Sequence, residues 1–118
     1  MNLNQKILLL NINNRYIERE IGQSDTYDIV KGNWCVGWDS IANVHLACAV
    51  VSGEIIDVFS INKWEVCQGH SKRKFFEGGV APAEIRGALI GKSVKKYWKR
   101  GSQNPVKYAE LKDILNKF

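Results

Sequence analysis

Cysteine and proline are scarce in this sequence, and long apolar runs are absent. Three cysteines (Cys35, Cys48 and Cys67) stand apart without any Cys-x-x-Cys pair, so neither a disulfide framework nor a zinc site is indicated. The longest apolar runs reach about six residues, which is too short for a membrane-spanning helix. The first residues lack the features of a secretory signal. These absences predict a reduced, cytoplasmic protein without a membrane partner or a cofactor.

The length and composition favour one globular domain over residues 1–118. A chain of 118 residues is long enough to bury a core without disulfides or a structural metal. Hydrophobic residues make up 45% of the chain and charged residues 25%, the usual balance of a globular protein.

The charge is unevenly distributed along the chain. Residues 1–70 contain five Lys/Arg and eight Asp/Glu, whereas residues 71–118 contain twelve Lys/Arg and only four Asp/Glu. A localised positive field raises the local concentration of anionic partners. The asymmetry favours a polyanion partner; the alternative is that it serves solubility alone.

Short apolar runs and turn residues predict an α+β fold built on a mixed β-sheet or small barrel with short flanking helices. The strongest signal is a hairpin in which Ser52 and Gly53 form a tight turn. Its first strand is apolar almost throughout, which predicts burial of both faces. In its second strand, strict alternation places Ile56 and Val58 on one face and Ile55 on the other. The predicted strands cover residues 6–12, 44–51, 54–61, 72–77 and 106–108, and the predicted helices cover 25–31, 82–90, 93–100 and 109–118.

A Gly-Lys-Ser sequence at residues 91–93 raises the question of a phosphate-binding loop. Such a loop needs a glycine five residues before Gly91 and a buried strand before the loop. The required position holds Arg86, and the preceding segment begins with Pro82, which is typical of a helix start. The sequence therefore does not predict a nucleotide hydrolase.

Three longer segments resemble a known family. The segments are "DIVKGNW" (28–34), "VHLACAVVSGEIIDVFSINKWE" (44–65) and "FFEGGVAPAEIRGALIGKSVKKYWKRGSQNPVKY" (75–108). They resemble the domain that follows the nuclease in a group of bacterial and phage GIY-YIG-type nuclease proteins. The order of elements looks like that of the PUA-like barrels of the EVE and ASCH group, which implies binding of RNA or a modified base, by analogy of fold.

Two departures limit what the resemblance implies. The chain has no nuclease domain, so cleavage is not carried over. Lys31 stands before Gly32 where the family pattern has arginine, which keeps the charge but loses the planar guanidinium fork that grips a phosphate or a base edge.

The predicted ligand site is an aromatic pocket with a basic rim. Bases stack on aromatic side chains, and Trp34 and Trp64 are the first candidates because each lies where a strand meets a polar loop. The alternative is that both rings fill the core. Lysines and arginines at 72–74 and 92–100 would form the rim, and Asn104 would either present its amide to a ligand or hold a turn. The predicted ligand-binding residues are Lys31, Trp34, Trp64, Arg73, Lys92, Ser93, Lys95, Lys99 and Asn104.

Neither catalysis nor a metal centre is predicted. His45 lies within the predicted apolar strand 44–51 and is interpreted as a hydrogen-bonded core residue rather than a base. Cys67 and His70 could form a nucleophilic pair, but no third group in the sequence orients them. Glu54 and Asp57 fall on opposite faces of a strand under strict alternation, so they do not form a carboxylate pair.

The sequence thus leads to three hypotheses. The first is a non-catalytic nucleic-acid-binding module that reads RNA or a modified base. The second is a phage-type protein that sequesters a cyclic or ADP-ribose-like signalling nucleotide and so blocks host defence. The third is an inhibitor whose basic face meets an acidic protein. The oligomeric state is open, with a homo-oligomer among the possibilities.

Overall fold

The computed structural model describes residues 3–13, 26–99 and 104–115 of the chain. These residues form an α+β fold in which a six-stranded mixed sheet curls into a half-barrel and carries four short α-helices. The fold class predicted from the sequence is therefore confirmed. The strands are β1 (Lys6–Asn11), β2 (Trp34–Cys35), β3 (Leu46–Val51), β4 (Glu54–Cys67), β5 (His70–Val80) and β6 (Val106–Glu110). The helices are α1 (Thr26–Val30), α2 (Trp38–Ile41), α3 (Ala83–Leu89) and α4 (Leu111–Leu115), and residues Lys95–Tyr97 form a 3-10 turn.

The strand order across the sheet is β2-β5-β4-β3-β1-β6. β1 and β3 are parallel, and the other neighbouring pairs are antiparallel. β4 pairs with β3 only as far as Ser60, which lies opposite Leu46. Beyond that point β4 continues with β5 as a ribbon, residues 62–77, and β2 pairs with β5 near the far end of this ribbon.

The sheet is covered by apolar side chains on both faces. One buried cluster contains Leu8, Ala47 and Phe59 from the strands and receives Ile29 from α1 and Ile41 from α2. The other cluster contains Leu9, Cys48 and Val50 from the strands and receives Leu89 from α3 and Ile114 from α4. β3 contributes to both clusters, which confirms that both of its faces are buried.

The predicted hairpin is present and its turn follows from local chemistry. Ser52 and Gly53 have φ angles of 52° and 77°. Positive φ at both central residues is the geometry of a type I′ turn, whose twist matches that of the flanking strands. Glycine adopts this conformation without steric cost.

A β-bulge in β4 overturns the predicted faces of this strand. Asp57 pairs with Ala49 and Ile55 pairs with Val50, so β4 has one extra residue, Ile56, between them. Ile55 and Val58 consequently pack in the same cluster, whereas Ile56 packs against the opposite one. Strict alternation cannot reveal an inserted residue, because every side chain after it changes face.

The predicted helix over 93–100 is wrong for its described residues. Ser93 forms a bridge with Glu54, and the Val94 amide donates a hydrogen bond to the Gly53 carbonyl oxygen (N···O 2.8 Å). These contacts hold the start of the segment against the hairpin turn, so only the 3-10 turn follows. Arg100, the last residue of this predicted helix, lies outside the described residues. Among the described helices, none has the length and apolar composition to cross a bilayer.

Cys48 lies at the centre of the sheet on β3. Its side chain is fully buried, and burial raises the pKa of the Cys48 thiol to about 12, because a thiolate loses its hydration in an apolar surrounding. Cys35, by contrast, is exposed. Cys35 and Cys48 thus differ in solvent exposure, and Cys67 is buried like Cys48.

We expect Gly78→Ala to destabilise the protein while Gly79→Ala leaves it nearly unchanged. A Cβ at Gly78 would overlap the backbone carbonyl oxygen of Ser60 on β4, whereas a Cβ at Gly79 would meet nothing within 4 Å. Overpacking of this kind costs about 1–3 kcal/mol, and an unobstructed substitution changes stability by about 0.5 kcal/mol or less. Urea unfolding followed by circular dichroism measures both. Equal stability of the two variants would contradict the close approach of β4 and β5.

Candidate functional site

Trp34, the first candidate for the aromatic pocket, lies in the core. Its side chain is 2% exposed, and the indole N–H donates a hydrogen bond to the Val30 carbonyl oxygen at the end of α1 (2.6 Å). The Trp34 ring therefore joins β2 to α1, and its N–H group has a hydrogen-bond acceptor within the protein. In this structure Trp34 presents no face to a ligand.

Trp64, the second candidate, is half-buried on the β4–β5 ribbon. Its ring meets the ring of Phe76 at a centroid distance of 5.3 Å in an edge-on arrangement. The indole N–H is buried, and no acceptor for it is present in the described part of the chain. Trp64 thus lies at the margin of the core rather than in an open cleft.

The structure does not bring the predicted cations together. Ser93 bridges to Glu54 at the start of β4, so Lys92, Ser93, Lys95 and the 3-10 turn lie at the hairpin end of that strand. Lys74 pairs with Val66 near the other end of β4. Twelve residues of extended strand span roughly 40 Å. The predicted basic rim is therefore two separate basic groups.

The remaining predicted residues serve local structure. Lys31 lies 3.8 Å from Asp28 in an exposed ion pair, and its carbonyl oxygen accepts a hydrogen bond from the Phe76 amide (2.7 Å). Asn104 accepts a hydrogen bond from the Val106 amide through its side-chain oxygen (3.0 Å), which is the turn-forming alternative. Lys99 is exposed beyond the 3-10 turn.

One groove combines an exposed aromatic ring with cations. It lies beside the β2–β5 edge, has a volume of about 370 Å³, and is lined by Cys35, Val36, Gly37, Trp38, Lys72 and Lys74. Trp38 is 54% exposed. The described lining includes two lysines and no carboxylate. A groove of this size, with an indole wall and basic side chains, suits a flat ligand that carries negative charge.

Lys74 fixes the wall of this groove. Its ammonium donates a hydrogen bond to the Val36 carbonyl oxygen (2.6 Å) and lies 4.9 Å from the centroid of the Trp38 ring. A cation over an indole face is attracted by the negative potential of the ring. Lys72 lies two residues away on the same side of β5 and is exposed. Arg73, in between, donates instead to the Asn33 carbonyl oxygen (3.3 Å).

The sequence predicted the basic run at 72–74 as part of the site, but Trp38 was not among the predicted ligand-binding residues. Trp34 and Trp38 have similar surroundings in the sequence, and only the chain path separates them. β2 ends at Cys35, and Gly37 then precedes the helical turn of α2 that begins at Trp38. The available signal was Gly-Trp-Asp-Ser at residues 37–40, where glycine and small polar residues mark a turn that can hold a ring outside the core.

A second, polar groove lies on the other side of α2. It is lined by Asn4, Gln5, Lys6, Asp39, Asn43 and His45, with a volume of about 580 Å³. The interpretation of His45 as a core residue is wrong, because this residue precedes β3 and is exposed. Cys67 donates its thiol hydrogen to the Asn33 side-chain oxygen (3.0 Å), and the side chain of His70 lies outside the described part.

No protein-family model, curated protein or solved structure matches this chain.

We expect Trp34→Ala and Trp38→Ala to differ sharply in stability. Removing the buried Trp34 ring should lower the free energy of unfolding by about 3–5 kcal/mol. Removing Trp38 should cost about 1 kcal/mol or less, because the ring is largely exposed and loses chiefly one cation–π contact with Lys74. Urea titration of both variants gives the comparison. Near-native stability of Trp34→Ala would contradict its place in the core.

Proposed function

We propose that this protein is a non-catalytic module that binds single-stranded nucleic acid at the β2–β5 edge groove. The observation that carries the proposal is the exposed Trp38 ring beside Lys72 and Lys74 in one groove. Base–aromatic stacking contributes about 1–3 kcal/mol per base, and lysines beside the ring neutralise phosphates. The aromatic pocket with a basic rim is thus retained from the sequence analysis, with Trp38 in place of Trp34.

The resemblance to the domain of GIY-YIG-type nuclease proteins gives this proposal independent support. Its implied PUA-like barrel and the curled half-barrel sheet agree in general shape. PUA-like barrels commonly hold RNA or a modified base, which is the ligand class proposed here. The inference is one of analogy, because a fold can host several functions.

Charge distribution also supports a nucleic-acid partner. The carboxyl-terminal part of the chain, residues 71–118, contains most of the basic residues. Some of these residues line the groove and some lie at or beside the distant 3-10 turn, whereas Arg86, Lys107 and Lys112 lie on α3, β6 and α4. A ligand confined to the groove would meet only Lys72, Lys74 and nearby cations, whereas a longer strand could also follow the positive field toward the other group.

Fluorescence anisotropy with a short labelled single-stranded oligonucleotide tests the proposal. Trp38→Ala should weaken binding by about 1–3 kcal/mol, which is about 5–150-fold, because the stacking surface is removed. Lys72→Gln should lower the magnitude of the log–log salt slope by about 0.7 if it removes one phosphate contact to a single strand.

Lys99→Gln is the matched control, since it removes one exposed lysine at the other end of the molecule. It should leave both the affinity for the short oligonucleotide and the salt slope close to those of the unmodified protein. Circular dichroism establishes that each variant folds. Absence of binding at low salt, or equal losses in Lys72→Gln and Lys99→Gln, would contradict a groove-centred site.

The discreteness of the groove favours a second candidate function. Its volume of about 370 Å³ lies within the range of small-molecule sites, and the distant lysines cannot contact a ligand confined to it. The second candidate is therefore a protein that sequesters a cyclic or ADP-ribose-like nucleotide without altering it, as expected for a phage-type protein that blocks host defence.

A thermal-shift panel separates the two functions. Sequestration predicts that micromolar cyclic dinucleotide or ADP-ribose raises the melting temperature, whereas a short oligonucleotide does not. A nucleotide present at a hundred times its Kd would raise the free energy of unfolding by about 2.7 kcal/mol. Chromatography after prolonged incubation should recover the nucleotide intact. Stabilisation by the oligonucleotide alone would exclude this second candidate.

A further inference from the structure

Lys74 is the most deeply buried charged side chain of the groove. It is 4% exposed, although the groove that it lines is open to solvent. Its ammonium contacts the Val36 carbonyl oxygen and the Trp38 ring. Among the residues that the structure describes, no carboxylate lies within ion-pair distance of its ammonium.

A buried ammonium in such surroundings is costly unless an anion accompanies it. A carbonyl dipole and a ring face compensate only part of the lost hydration. An ammonium also has three N–H donors, and the Val36 carbonyl oxygen uses one. A methionine at this position would match the volume and remove the charge, but it would leave the Val36 carbonyl oxygen without this donor.

Lys63, an exposed lysine of the same ribbon, is paired with carboxylates. Lys63 lies 3.0 Å from Glu77 and 3.8 Å from Glu65, so its charge is neutralised by the protein. These two carboxylates, together with the hydrogen bonds they form, raise the pKa of Lys63. The ribbon thus provides acids for a lysine at its surface and none, within its described part, for the lysine at the groove.

We propose that Lys74 is a phosphate anchor, so that the groove selects ligands that combine a nucleobase with a phosphate. This inference rests on the proposed function and narrows it. The base would stack on the Trp38 face that Lys74 leaves open, and the phosphate would reach the ammonium past the edge of the ring. A nucleoside without phosphate would retain only the stacking contribution.

The test compares a nucleoside monophosphate with its nucleoside by calorimetry at matched ionic strength. The unmodified protein should bind the monophosphate about tenfold or more tightly, since a charge-assisted hydrogen bond is gained. Lys74→Met should abolish this preference while it retains weak nucleoside binding, and circular dichroism establishes that the variant folds. Lys74→Gln, which keeps a donor for the Val36 oxygen but no charge, is the second variant should Lys74→Met fail to fold.

Lys99→Gln is the control because it removes an exposed lysine that does not line the groove. It should keep the preference for the monophosphate. The inference would be overturned if both Lys74 variants still preferred the monophosphate to the nucleoside. It would also be overturned if binding depended on Trp38 but was equally tight for the monophosphate and the nucleoside.

Inorganic phosphate separates failure of this inference from failure of the proposed function. If phosphate raises the melting temperature relative to chloride at equal ionic strength, and Lys74→Met loses this effect, the anchor is supported even where oligonucleotides do not bind. If oligonucleotides bind through Trp38 but phosphate selection does not depend on Lys74, the proposed function stands and the anchor is overturned. Absence of both effects would overturn both.

Discussion

β3 has no face that touches water, so the chain must supply an apolar layer on each side of the sheet. α1 and α2 provide one layer, and α3 and α4 provide the other. A fully buried Leu or Val side chain contributes about 1.5–3 kcal/mol, and the buried residues of β3 include Leu46 and Val50 beside Ala47, Cys48 and Ala49. Because the centre of the sheet is committed to packing, the exposed side chains of the candidate groove lie at its β2–β5 margin.

The length of β4 determines where the candidate groove lies. β4 continues beyond its pairing with β3, and β5 and β2 follow it away from the double-sided core. At this end of the ribbon, two tryptophans that are close in the sequence differ in burial. Trp34 points into the core and donates to α1, whereas Trp38, four residues later, starts a helical turn and stays exposed. The groove therefore borders the core without interrupting it.

Local chemistry was predictable from the sequence, and long-range geometry was not. The Ser52–Gly53 turn and the two buried faces of β3 follow from residues that are adjacent in the chain. The bulge at Ile56 depends on the pairing of two strands, which alternation alone does not contain. The basic run at 72–74 was recognised, but its distance from Lys95 depends on the whole length of β4. The choice between Trp34 and Trp38 likewise depends on how the chain turns after β2.

The buried thiol of Cys48 can report how often the sheet opens in the native protein. Its sulfur lies on the central strand beneath two layers of packing, and the neutral thiol is strongly favoured there. The thiolate is the form that attacks an alkylating reagent, so modification of Cys48 requires the strands to separate, whereas the exposed Cys35 is accessible to the reagent in the native state. The rate of labelling at Cys48 relative to Cys35 therefore measures how often the whole sheet opens.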